Sequence, residues 1–139
     1  MLLHGPNLNL LGEREPEVYG KLTLAQINSK LKTSARTLGV VLRIHQSNSE
    51  GEIIDFLHLN RKWAQGVIIN PAAYTHYSYA IRDAISAIAL PAVEVHLSDI
   101  HTREAFRRQS VIEAVCLRQI TGLGWKSYLE GIKILIEHI

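Results

Sequence analysis

The chain predicts an α/β fold, a parallel sheet of five strands with helices on both faces. Short β-branched runs alternate with longer stretches whose apolar residues recur at three- and four-residue spacing. No internal repeat and no linker divides the 139 residues, so residues 1–139 read as a single catalytic domain. Apolar residues make up 47% and charged residues 20%, the balance of a soluble globular chain that buries its own core.

Met1 to Leu3 supplies the stub of a first strand. Thr23 and Gln26 have capping-box spacing, and Leu24, Ile27, Leu31 and Leu38 follow on one stripe that Gly39 ends. Val40 to Ile44 is β-branched and predicts a second strand. Ser49 and Glu52 repeat the capping-box spacing and open a helix through Ile53, Ile54 and Leu57 towards Trp63. Gly66 to Asn70 predicts a third strand, stopped by Pro71. Ser78 to Ala89 reads as a helix with Ile81, Ala84, Ile85 and Ile88 inward, and Pro91 closes it. Ala92 to His96 predicts a fourth strand and Val115 to Ile120 a fifth. A last helix from about Trp125 is expected to bury Leu129, Ile132, Ile136 and Ile139.

Five strands in such an alternation favour the flavodoxin-like order 2-1-3-4-5, with its crevice outside the carboxyl ends of strands one and three. The formal charge of +2 is small and scattered, which disfavours a nucleic-acid or membrane partner. One cysteine, Cys116, excludes an internal disulfide, and no apolar run approaches a membrane span or secretory signal. A cytoplasmic protein is expected.

The least regular stretch is the opening, Leu2 to Gly20, where Pro6, Pro16, two asparagines and three glycines forbid a long helix or strand. It carries Leu8, Leu10, Leu11, Val18 and Tyr19, too apolar for a solvated linker, so it reads as an ordered loop folded over something. Gly12 to Gly20 has glycines at both ends and Pro16 in the middle, the make-up of a lid that swings as a unit. Other unusual residues follow strand three, Asn70 to His76, and strand four, His96 to Asp99.

These stretches carry a family resemblance. Gly5 to Gly12, Arg14-Glu15-Pro16 with Tyr19-Gly20, Gln46-Ser47-Asn48 with Glu50-Gly51, Ile69-Asn70-Pro71 with Tyr74-Thr75-His76, Arg82-Asp83-Ala84, Glu94 to Ser98, and Arg103 with Phe106-Arg107 resemble type II 3-dehydroquinate dehydratase. The match keeps register over nearly the whole chain. It implies a shikimate-pathway lyase that converts 3-dehydroquinate to 3-dehydroshikimate, on a flavodoxin-like fold, in trimers packed into dodecamers. His4 stands where the family commonly has asparagine and Ala72 where it has glycine, both read as changes of loop shape. Arg118 and Ser127 sit where glycine is frequent, far from the expected chemistry.

The chemistry makes sense of these residue types. Eliminating a hydroxyl β to a ketone needs a base for the α-proton, donors for the enolate oxygen and an acid for the leaving oxygen. A phenol ordinarily loses its proton near pH 10, about, and a guanidinium alongside favours the phenolate. By resemblance Tyr19 is that base and Arg14 its activator. Glu94 and His96 are two apart on a strand and share a face, and a carboxylate fixes an imidazole's tautomer. By resemblance His96 is the acid and Glu94 orients it. Asn7 and Asn70 are neutral donors for the carbonyl oxygen or a water. His76, Arg107, Leu97 and Ser98 match positions that hold the substrate's hydroxyls and carboxylate, and Asp83 matches one that reaches a neighbouring subunit's site.

The competing class is a non-enzymatic flavodoxin-like domain that binds a small ligand or regulates. It makes Arg14, Tyr19 and His96 incidental. Seven histidines invite a metal site, but no HExxH, His-x-His or cysteine pair is present, and no GxGxxG or Walker loop follows a strand. No metal or cofactor is expected. The lysines fall mostly on polar helix faces, none after a strand near these residues, which points to a non-covalent enolate rather than a Schiff base.

Overall fold

The computed structural model describes residues 1–139. Strands β1 (Leu2–His4), β2 (Ile44–Gln46), β3 (Val67–Asn70), β4 (Ala92–Val95) and β5 (Arg118–Ile120) are all parallel, in the order β2-β1-β3-β4-β5. This is the expected topology. The two-residue period of the strands divides the core into two layers. Leu3, Val67, Ile69 and Ala92 face helices α3 (Glu50–Asn60) and α4 (Tyr79–Ile88), where Ile53, Leu57, Ile81 and Ile85 meet them. Leu2, Ile68, Val93 and Val95 face helices α2 (Leu24–Thr37) and α5 (Lys126–His138), through Ile27, Leu31, Tyr128 and Ile132. A further turn of helix, α1, spans Pro16–Tyr19 in the opening loop.

The helix starts follow their caps. Thr23 and Gln26 close a full capping box on α2. Ser78 Oγ accepts the Ile81 amide at 3.0 Å and starts α4, a cap that contributes about 1 kcal/mol. Helix α4 buries Ile81, Ala84, Ile85 and Ile88 as its spacing predicts, and each isoleucine so removed from water stabilises the fold by roughly 2 kcal/mol. On α3 only half the box forms. Ser49 Oγ accepts from the Glu52 amide, but the Glu52 carboxylate takes the Ser47 hydroxyl, at 2.5 Å, instead of returning to the cap.

Several boundaries differ from expectation. The second strand lies at Ile44–Gln46, not Val40–Ile44, because pairing with Leu2–His4 sets its register, and Val41 is left 76% exposed. The fifth strand is Arg118–Ile120, since Glu113–Val115 forms a 3-10 turn. Helix α2 ends at Thr37, its C-cap Leu38 is exposed, and Ala35 takes the inward place. Helix α5 presents a different face: Tyr128, Gly131, Ile132 and Leu135 are buried, while Ile136 and Ile139 are exposed. His4 is not a loop residue. It ends β1 and is fully buried.

Candidate active site

The segments that leave β1, β3 and β4 at their carboxyl ends enclose one cleft. It is lined by Asn7, Arg14, Tyr19, Asn70, His76, His96, Leu97, Ser98, Arg103 and Arg107, among others. The position is the one open α/β sheets provide, where loops diverge beyond the strand ends. Backbone contact fixes its floor. A Cβ on Gly5 would lie 2.4 Å from the Pro71 carbonyl oxygen, so the loops after β1 and β3 touch directly only because residue 5 has no side chain. Gln46 Nε2 ties the same loop to β2 through the Gly5 carbonyl, at 3.2 Å, and Asn48 Oδ1 accepts the Asn7 amide at 3.0 Å.

Tyr19 ends α1 and comes from the segment bounded by Gly12 and Gly20, both at positive φ. Two guanidiniums reach it. Arg14 stacks over the ring, its Cζ 5.1 Å from the centroid, and pairs with Glu15 at 3.3 Å. Arg103 Nη1 donates to the phenolic oxygen at 2.9 Å. Burial works against the Arg103 charge, but the hydrogen bond and charge of Tyr19, with Glu104 and Glu15, hold its pKa above the ordinary arginine value. Sequence reasoning named Arg103 only as part of a motif and gave it no role. Nothing local could have found this contact, because 84 residues separate the partners.

Across the cleft, His96 follows β4 directly. Its Nε2 lies 2.6 Å from Glu94 Oε1, inside the sheet. Glu94 is fully buried, and its carboxylate also accepts from Ser110 Oγ at 2.9 Å and Gln119 Nε2 at 3.1 Å. Three donors satisfy a buried carboxylate that would otherwise be costly to keep. With Nε2 engaged, a second proton on the ring sits on Nδ1. His76 is held differently. Its Nδ1 donates to the Gln109 carbonyl at 2.7 Å; burial lowers its pKa most, against that hydrogen bond, and nearby His96 and Arg107 lower it further.

Arg107 lines the cleft while its Nε lies 2.7 Å from Glu104. The Leu97 and Ser98 carbonyls accept from Gly124 and Gly122, but their own amides donate to no backbone acceptor. Asn70 is 3% exposed, with Oδ1 taking the Ala72 amide at 3.1 Å. Asp83 stands apart: it is exposed on α4 and does not line the cleft.

Such a cleft can move protons, with a cation-backed phenol on one wall and a carboxylate-backed imidazole on another. Residues 1–136 match the family model for dehydroquinase class II, and the chain belongs to that family. A 3-dehydroquinate dehydratase of Halothermothrix orenii is 54% identical over 138 residues, covering 99% of this chain and 93% of the relative. One from Pelotomaculum thermopropionicum is 56% identical over 133 residues, covering 96% and 92%. The crystal structure of type II dehydroquinase from Butyrivibrio crossotus superposes with a TM-score of 0.95 at 41% identity, covering 97% of this chain and 94% of that one. The family is one of enzymes, which sets aside the binding-domain alternative.

Proposed function

We propose that the protein dehydrates 3-dehydroquinate to 3-dehydroshikimate, a step of the shikimate pathway, through a non-covalent enolate. The observation that carries this reading is the Tyr19 hydroxyl held by the Arg103 guanidinium in the same cleft as the His96–Glu94 pair. Tyr19, as phenolate, takes the proton α to the ketone, and the electron pair moves onto the carbonyl oxygen. Asn7, directly or through a water, donates to that oxygen while it is charged. The enolate then collapses, the bond to the β-hydroxyl breaks, and the Nδ1 proton of His96 leaves with it as water. Glu94 keeps the ring oriented throughout. One proton has moved from substrate to Tyr19 and one from His96 to the product water, so the enzyme resets when Tyr19 returns its proton and His96 regains one.

Arg107 and the free Leu97 and Ser98 amides suit the substrate carboxylate. His76 and Asn70 suit its hydroxyls. In this reading Asp83 serves a neighbouring subunit, within trimers assembled into a dodecamer, and the enzyme works in the cytoplasm without metal or cofactor. No helix is long and apolar enough to cross a membrane. The test is an absorbance assay with 3-dehydroquinate that follows the conjugated enone. Folded protein should produce the signal and Tyr19→Phe should not, although it still binds substrate. An unmodified chain that gives no signal, or a Phe variant that turns over normally, refutes the assignment.

A further inference from the structure

The steps above leave two buried polar groups behind the cleft, His4 and Tyr128, without a role. His4 and Asn70 are register partners on β1 and β3, and both point to the face covered by α2 and α5. His4 is fully buried between them. Its Nε2 lies 2.8 Å from Asn28 Oδ1 on α2, and its Nδ1 lies 2.8 Å from the Tyr128 hydroxyl on α5. Tyr128, also fully buried, accepts from Asn70 Nδ2 at 3.1 Å. Asn70 Oδ1 takes the Ala72 amide, and both Asn70 and Ala72 line the cleft.

One proton assignment satisfies every member. The Ala72 amide can only donate, so the Asn70 oxygen faces it and the Asn70 nitrogen faces Tyr128. That nitrogen can only donate, so the Tyr128 hydroxyl accepts there and gives its own proton to His4 Nδ1. His4 then carries its proton on Nε2 and gives it to Asn28. A proton on both ring nitrogens would strand the Tyr128 hydroxyl with no acceptor in a site without water contact. Burial, partly offset by the Asn28 bond, lowers the His4 pKa to about 4 and agrees with the neutral ring.

We propose that His4 and Tyr128 are positioning residues that fix the orientation of the Asn70 carboxamide, and so tune substrate affinity from behind the cleft. The inference rests on the reading that Asn70 contacts the substrate. Asn70 Nδ2 has two protons, and Tyr128 uses one; the other is then aimed by a chain that admits a single direction. Loss of the Tyr128 hydroxyl leaves the carboxamide held only by the Ala72 amide, so its nitrogen can tilt away from the substrate, and leaves His4 Nδ1 unpaired.

The test is a kinetic double-mutant cycle with Tyr128→Phe and Asn70→Ala, with thermal stability measured in parallel. Tyr128→Phe keeps the ring that packs edge-on against His4, at 5.0 Å between centroids, and removes only the oxygen. It is expected to raise KM about five- to tenfold, the size of one oriented hydrogen bond, with kcat nearly unchanged. In the Asn70→Ala background the same change should add almost nothing. A merely structural role lowers stability or the active fraction and leaves KM alone. A parental KM in Tyr128→Phe, or an effect that adds in full to Asn70→Ala, overturns the proposal. A parental KM in Asn70→Ala itself removes the reading beneath it, and the proposal with it. If Tyr128→Phe does not fold, Asn28→Ala frees the outer end of the chain; a KM raised about two- to threefold supports the proposal and a parental one overturns it.

Discussion

Two cations meet Tyr19, and their geometry separates their duties. Arg103 lies over the ring, its Cζ 5.3 Å from the centroid, and also donates to the phenol oxygen, the atom charged in the proposed mechanism, while Arg14 reaches only the ring face and pairs with Glu15. A charged hydrogen bond to a developing phenolate is worth more than a cation above the π face. Arg103→Ala is therefore expected to lower kcat about 10²- to 10³-fold, and Arg14→Ala only about tenfold. Steady-state kinetics of the two variants checks this, and equal losses of kcat would show that the hydrogen bond to the phenol oxygen has no special part. The sequence pointed to Arg14 because it lies five positions from Tyr19 on the same loop, and such proximity is readable. Arg103 follows the 3-10 turn at Ile100–Thr102 and meets Tyr19 across 84 positions of chain, which no local pattern announces.

Among the elements, those with strong local signals were legible. Helix α4 has both a serine cap and four inward apolar positions, and nothing tertiary displaced it. Helix α5 shows the limit. Counting aliphatic residues selected the stripe through Ile136 and Ile139, whereas the structure turns inward a tyrosine whose hydroxyl has two buried partners. Strands of three or four residues are equally hard to bound, since pairing rather than propensity decides where they begin. The Gly12–Gly20 segment is the element whose expected behaviour is still to be measured. Both glycines adopt left-handed φ, and Glu15 does too, at 39°. If the segment opens and closes, a glutamyl endopeptidase should nick it near Glu13 or Glu17 in the free enzyme and more slowly with a bound substrate analogue. Equal rates would count against a lid.

At the scale of the molecule, the buried His4 couples the fold to pH. Its folded pKa of about 4 lies below the ordinary 6.5, so the unfolded chain takes up this proton first as acid is added. The stability it supports is complete above about pH 6.5 and is lost as the pH falls towards about 4, by roughly 2 to 4 kcal/mol in all. Urea midpoints measured across that window should fall in the parent and fall less in His4→Asn. Equal slopes would mean that other groups set the acid limit. Assembly is the other property of the whole. Asp83 is exposed and outside its own chain's cleft, so the shared-site reading makes a definite demand. Co-refolded Asp83→Ala and Tyr19→Phe subunits should recover part of the activity that each lacks alone. Verified mixed trimers with no recovery would show sites complete within one chain.

The proposed base and the proposed acid are mounted on different kinds of support. Tyr19 lies on the segment between Gly12 and Gly20, whereas His96 is fastened to β4 by a carboxylate inside the sheet. If that segment swings, the proposed reaction has a reversible entrance and a fixed exit. With the segment away, a bound substrate would face an acid but no base and simply wait. On its return everything needed to finish would already be in place, so commitment would be decided by the arrival of one short stretch of chain.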